Sequence, residues 1–118
     1  MIEIMGFFEK FTAALQQKWL DYFQANRSWI ILQMKVAAAN TPDGGKRPSS
    51  YFILGVVNAL EPKLGNLMVP FCQLNSDAEK LVDVLGLNFD PEKELVKRAE
   101  QSAQTQEAEI VHLLPDSD

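Results

Sequence analysis

Between residues 6 and 24 the helical pattern is carried by apolar side chains at positions 7, 8, 11, 15, 19, 22 and 23. Steps of three and four trace one face of an α-helix, and Glu9, Lys10, Gln16, Gln17 and Asp21 lie mainly off it. Asn26 offers an N-cap to a second apolar run, from Trp29 to Ala39. WIIL within that run also suits a buried strand, but the length and the alanine-rich end predict a helix. The loop Asn40-Thr-Pro-Asp-Gly-Gly-Lys-Arg-Pro48 follows, with proline presetting φ and glycine permitting positive φ. Ser49 or Ser50 can cap a helix over 49–60, and Pro62 opens another over 62–73. Pro62 and Pro70 fit either fresh helix starts or kinks in one longer helix. Ser76-Asp-Ala-Glu79 matches a capping box, Leu81, Val82 and Leu85 supply a buried face, and Gly86 stands in the C′ place. Asp90-Pro91 pairs an N-cap with proline at the first helical position of PEKELVKRAEQSAQ.

No sustained alternation and no hairpin signal appear. The pattern therefore predicts an all-α fold: a compact bundle of about five or six short helices in one domain over 1–102. Residues 103–118 read as an acidic, flexible tail, in which the apolar run 110–114 could dock on a partner.

Composition narrows the function classes. A chain of 118 residues with 47% hydrophobic content suits one globular domain. It carries 11 Lys+Arg against 16 Asp+Glu, a net charge of −5, which argues against general binding to nucleic acid. The single cysteine forms no internal disulfide, and Cys72 with His112 cannot complete a zinc site. The start, MIEIMGFFEKF, lacks the basic region and long apolar core of a signal peptide, and no run of 18 apolar residues exists to span a membrane. These features set the expectation of a soluble, cytoplasmic protein. The charge is uneven: residues 1–60 balance to +2 and residues 61–118 to −7. An anion-binding surface belongs in the first half.

Enzymatic chemistry finds little support. Cys72 sits in an apolar helix without a cationic neighbour, and His112 falls in the tail. Asp90, Glu92, Glu94 and Glu100 fit helix starts and solvated faces, and Walker A, GxGxxG and HExxH motifs are all absent. The chain reads as a non-enzyme that needs no cofactor or metal. The informative piece is Thr41 to Tyr51, which sets two glycines, two basic residues, two hydroxyls and an aromatic at a helix start. Such a start suits phosphate. Ser49 and Ser50 add hydroxyl donors, Lys46 and Arg47 neutralise charge, and Arg47 can also fork onto or stack against guanine. Asp43 can accept from a guanine's Watson–Crick edge, Tyr51 supplies a ring, and Arg27 could reach the loop from the preceding helix. The same residues also make an ordinary turn, cap and solvated pair, and that alternative stays open.

Over residues 5–98, and most sharply in TPDGGKRPSSYFILG at 41–55, the chain resembles a family of small cyanobacterial proteins of unknown function, identified with a group that includes a receptor for cyclic di-GMP. The RxxxR and (D/N)xSxxG motifs of PilZ receptors are absent. The resemblance implies a helical receptor for a small anionic nucleotide that regulates a protein partner such as a transcription regulator. A homodimer would match the ligand's two-fold symmetry. The resemblance does not assign ligand contacts; those rest on the chemistry of Arg27, Asp43, Lys46, Arg47, Ser49, Ser50 and Tyr51. The competing expectation is a helical adaptor without a small ligand, suggested by the apolar helices at 7–23 and 29–39 and the acidic tail.

Overall fold

Leu15, Trp19 and Phe23 recur every four residues along the first helix and are buried to 1% exposure or less, which is why that stretch is helical and where it packs. The computed structural model describes residues 2–113, and side chains from residue 6 to residue 107. Among the described residues the order is α1 (Ile2–Ala25), α2 (Arg27–Met34), β1 (Ala38–Asn40), β2 (Lys46–Pro48), α3 (Ser50–Leu60), α4 (Pro62–Leu74), α5 (Ala78–Val84) and α6 (Pro91–Leu113). The fold is helical, as the apolar periodicity predicts, with one small two-stranded sheet added.

That sheet corrects the sequence reading of the loop. β1 and β2 pair antiparallel, with Ala38 opposite Pro48, Ala39 opposite Arg47 and Asn40 opposite Lys46. The helix expected to reach Ala39 therefore stops at Met34. Alanine's helix propensity, a fraction of a kcal/mol per residue, yields to the turn that follows. Thr41 N–H donates to the Gly45 carbonyl and Gly44 N–H to the Thr41 carbonyl, and Gly44 takes φ +81°. Pro42-Asp43-Gly44 is thus a three-residue hairpin loop closed by a left-handed glycine.

Two caps also differ from expectation. Asn26 occupies the N-cap position of α2, but its side chain accepts from Trp29 Nε1–H and donates to the Tyr22 carbonyl, both at 3.0 Å, tying α2 back to α1. Asp77, not Ser76, caps α5 by accepting Glu79 N–H at 3.0 Å. Gly86 holds the C′ place with φ +77°, and Leu87 N–H reaches back to the Val82 carbonyl while Gly86 N–H bonds Asp83, the Schellman arrangement. Pro62 starts α4, and Pro70 lies inside it. α6 runs on to Leu113, past the expected end near 102. Residues 114–118 and the side chains of the 110–113 run lie outside the described ones.

The core gathers Leu15, Trp19 and Phe23 of α1, Ile30 of α2, Ile53 and Val57 of α3, Leu64 of α4, and Leu81, Val82, Leu85 and Leu87 around α5. Phe52 joins it edge-on to both Trp19 and Trp29, with ring centroids 6.3 and 5.6 Å away. Trp19 is wholly buried, and its indole N–H has no hydrogen-bond partner among the described residues. Ion pairs clasp the outside: Lys18–Glu61 at 2.6 Å joins α1 to the start of α4, and Arg98–Asp21 at 2.8 Å joins α6 to α1. No helix among the described residues is long and apolar enough to cross a membrane.

Phe23→Ala removes a ring with no solvent exposure from the centre of this cluster. Stability should fall by about 3–5 kcal/mol, read as a lower urea midpoint at unchanged slope.

Candidate functional site

The segment 41–51 does two different jobs. Its first half is bolted to the start of α6, and its second half lines an open groove.

Asp43 is committed to the hairpin loop. One carboxylate oxygen accepts from the Thr41 hydroxyl and from Gly45 N–H, and the other accepts Asp90 N–H at 2.9 Å. The bond from Thr41, together with those from the Asp90 and Gly45 amides, holds the Asp43 carboxyl below its ordinary value. Lys93 Nζ donates to the Asp43 backbone carbonyl at 2.6 Å. Asp90 answers from the other side: Oδ2 accepts Lys46 N–H at 3.1 Å, while Oδ1 accepts Glu92 N–H at 2.9 Å as the cap of α6. The Asp90 side chain lies so close to Gly45 that an added Cβ there would collide with it. Each Asp43 oxygen thus already accepts at least one protein hydrogen bond, so a guanine edge would share this exposed carboxylate with the loop and the start of α6.

Arg47 turns inward. It is 2% exposed, beneath the hairpin. Nε donates to Asn88 Oδ1 at 3.0 Å, Nη1 to the Pro48 carbonyl at 2.9 Å and Nη2 to Ser50 Oγ at 3.3 Å. Burial pulls its pKa down, opposed by the charges of Glu79 and Asp83, and a guanidinium this basic stays protonated. Arg47 thus fastens β2, the first turn of α3 and the loop after α5 together. Ser50 is buried at 7% and accepts from Arg47. Lys46 pairs across the strands with Asn40 Oδ1 at 2.9 Å. Its neighbours in a second depression are Ile31, Met34, Lys35, Val36 and Ala38. Arg27 bonds Glu92 at 2.5 Å, joining α2 to α6. Its side chain stays more than half exposed beside that pair.

What remains together is Ser49, Ser50 and Tyr51. They line a groove of about 390 Å³ with residues 37–39 on one side and 76–79 on the other. That volume falls within the roughly 300–1,000 Å³ of small-molecule sites. Ser49 sits at the N-cap of α3 without making a side-chain cap bond, and the Tyr51 ring is 79% exposed. The facing wall brings Asp77 and Glu79, which the pattern of residues 41–51 did not announce. Carboxylates repel phosphate but accept the N–H groups of a base. Asn88 and Asp90 were likewise missed as partners of the loop. Asp90 carries the Asp-Pro cap signal, but nothing in that signal shows that its second oxygen holds a hairpin more than forty residues away in sequence.

Among the described residues no group of three His, Cys, Asp or Glu side chains could hold a metal ion, and Cys72 is free and exposed. The site is a polar groove beside a braced hairpin on a small helical domain. The chain belongs to a family of unknown function, DUF5331, whose model matches residues 5–116. No curated protein and no solved structure matches it.

Two outcomes follow from the braced hairpin. Arg47→Ala strands Asn88 and Ser50 and should destabilise the fold by on the order of 2–3 kcal/mol in urea denaturation, whatever it does to ligands. Because the Asp43 carboxyl is held below its ordinary value, its contribution is complete above that value and is lost as pH falls through the lowered one. Asp43→Asn should therefore flatten the acid limb of a melting-temperature profile, and an unchanged limb would rule out this bracing.

Proposed function

We propose that the chain is a non-catalytic protein-interaction module. The observation that carries this reading is a sparsely charged outer surface on α3 and α4. From Pro48 to Ser76 the only charged residues are Glu61 and Lys63. Within that stretch Tyr51, Val69 and Leu74 are 79%, 65% and 86% exposed, and Pro70 and Cys72 are exposed beside them. α4 buries one residue, Leu64, so most of a strongly apolar helix faces outward. Monomeric proteins seldom present contiguous apolar patches larger than a few hundred Å², and patches rimmed by polar residues mark interaction sites. The burial of Arg47 in internal bonds supports the same reading. A photo-crosslinking residue at Val69 should give discrete protein adducts in cells, whereas one at Gln104, on exposed α6, should give none. Absence of adducts at Val69 would overturn the reading.

A second reading rests on the groove at the start of α3. The uncommitted Ser49 hydroxyl, the Tyr51 ring and the carboxylates of Asp77 and Glu79 are the donor, stacking and acceptor groups that a guanine nucleotide uses. On that reading the protein is a cytoplasmic cyclic di-GMP receptor whose ligand, bridging a homodimer, tunes contact with a partner such as a transcription regulator. Titration calorimetry should show saturable binding of cyclic di-GMP that Tyr51→Ala weakens at least tenfold with the fold intact. No saturation at tens of micromolar ligand would remove this reading.

A further inference from the structure

We infer that the groove beside β1 takes an extended, basic peptide segment, which adds a third strand to the open edge of the hairpin and sets Lys or Arg side chains against Asp77, Glu79 and Tyr51. This deepens the interaction-module reading and rests on it, but it names a partner chemistry for the groove rather than for α4.

Thr41 N–H bonds the Gly45 carbonyl, so these two residues form a hydrogen-bonded pair of the antiparallel ladder. Alternation makes Ala39 and Arg47 the next bonded pair and turns the peptide groups of Ala38 and Asn40 away from β2. The two edges of the sheet are then unlike. On β2 the outward positions are Lys46, whose N–H is taken by Asp90, and Pro48, which has no N–H. On β1 they are Ala38 and Asn40, in a strand with neither proline nor charge. Residues 37–39 line the groove and, among the described residues, none of β2 does, so the groove lies along the open edge. Two N–H and two C=O groups there match those of an added antiparallel strand. The small alanine side chains let a second backbone approach.

Charge selects the strand. Asp77 and Glu79, both exposed, are the charged residues of the groove wall. Asp77 spends one oxygen on Glu79 N–H; among the described residues the Glu79 carboxylate makes no hydrogen bond or ion pair. Arg47, buried nearby, feels the charges of Glu79 and Asp83, so with Asp77 the acids outnumber it three to one. Tyr51, 79% exposed, adds an aromatic ring, and a ring beside two carboxylates attracts a cation. Side chains alternate along a strand, so Lys or Arg at every second position of the segment can meet this acidic wall together.

The full chain, isotope-labelled for NMR, is titrated with the acetylated, amidated pentapeptide Arg-Thr-Arg-Thr-Arg. The amides of Ala38, Asn40, Tyr51 and Glu79 should shift saturably, with a dissociation constant on the order of 100 μM. At saturation, hydrogen exchange at Ala38 and Asn40 should slow roughly tenfold. N-methylation of one alternate set of peptide amides should abolish binding while N-methylation of the other set spares it, and Glu in place of Arg should abolish it. Glu79→Lys, at an exposed position, should weaken binding roughly tenfold with an unchanged circular-dichroism spectrum. No saturation at millimolar peptide would overturn the inference. So would shifts confined to α6, equal binding of both N-methylated peptides, or undiminished binding to Glu79→Lys, each of which means charge attraction without strand addition. Cyclic di-GMP saturating the same amides while the peptide does not would give the groove to the nucleotide and overturn it too. Cross-linking at Val69 reads a different surface and tests the interaction reading separately.

Discussion

The carboxylate of Asp90 holds the architecture at its one non-obvious joint. One oxygen caps α6 and the other takes the Lys46 amide of β2, while the Asp90 amide donates to Asp43 in the hairpin loop. Each partner constrains the other. Gly45 must lack a side chain so that the carboxylate can approach, and Gly44 must take positive φ so that the loop presents Asp43. A hairpin of three residues a side is marginal by itself in water. Here it persists because its tip is pinned to a helix terminus and its base rests on the buried guanidinium of Arg47. Arg27–Glu92 adds a third tie between the same helix start and α2.

The helices were readable from periodicity because burial repeats locally. The spacing of Leu15, Trp19 and Phe23, and the Gly86 stop, identify elements without reference to anything distant. The hairpin was not readable, since three-residue strands of alanine and of Lys-Arg-Pro carry no alternation, and only tertiary pinning makes them strands. Caps fell between these cases. Asp77 and Ser76 both satisfy the chemistry of an N-cap, and Asn26 holds the expected position while spending its side chain elsewhere.

The candidate site shows the same division more sharply. Residue chemistry singles out 41–51 but does not tell whether its polar groups face a ligand or the protein. Arg47 turns inward to Asn88, and Asp43, though exposed, bonds Asp90, partners that both lie far along the chain. Ser49 and Tyr51 stay outward because α3 needs no side-chain cap there and the core already has Ile53, Leu54 and Val57. The net charge hides a comparable partition. An acidic C-terminal half, a mildly basic N-terminal portion and a neutral middle are three surfaces with different partners available to each.

The two tryptophans occupy opposite environments, and this gives the molecule a built-in optical readout. Trp19 has no solvent contact and, among the described residues, no partner for its indole N–H, so its emission should be blue-shifted as in an apolar solvent. Trp29 is 44% exposed with its N–H held by Asn26, so its emission is that of a partly hydrated ring. Phe52 touches both. A quencher dissolved in water reaches Trp29 first, and Trp19 only when the core opens. Native fluorescence therefore separates events at the α2 surface from global unfolding without any label.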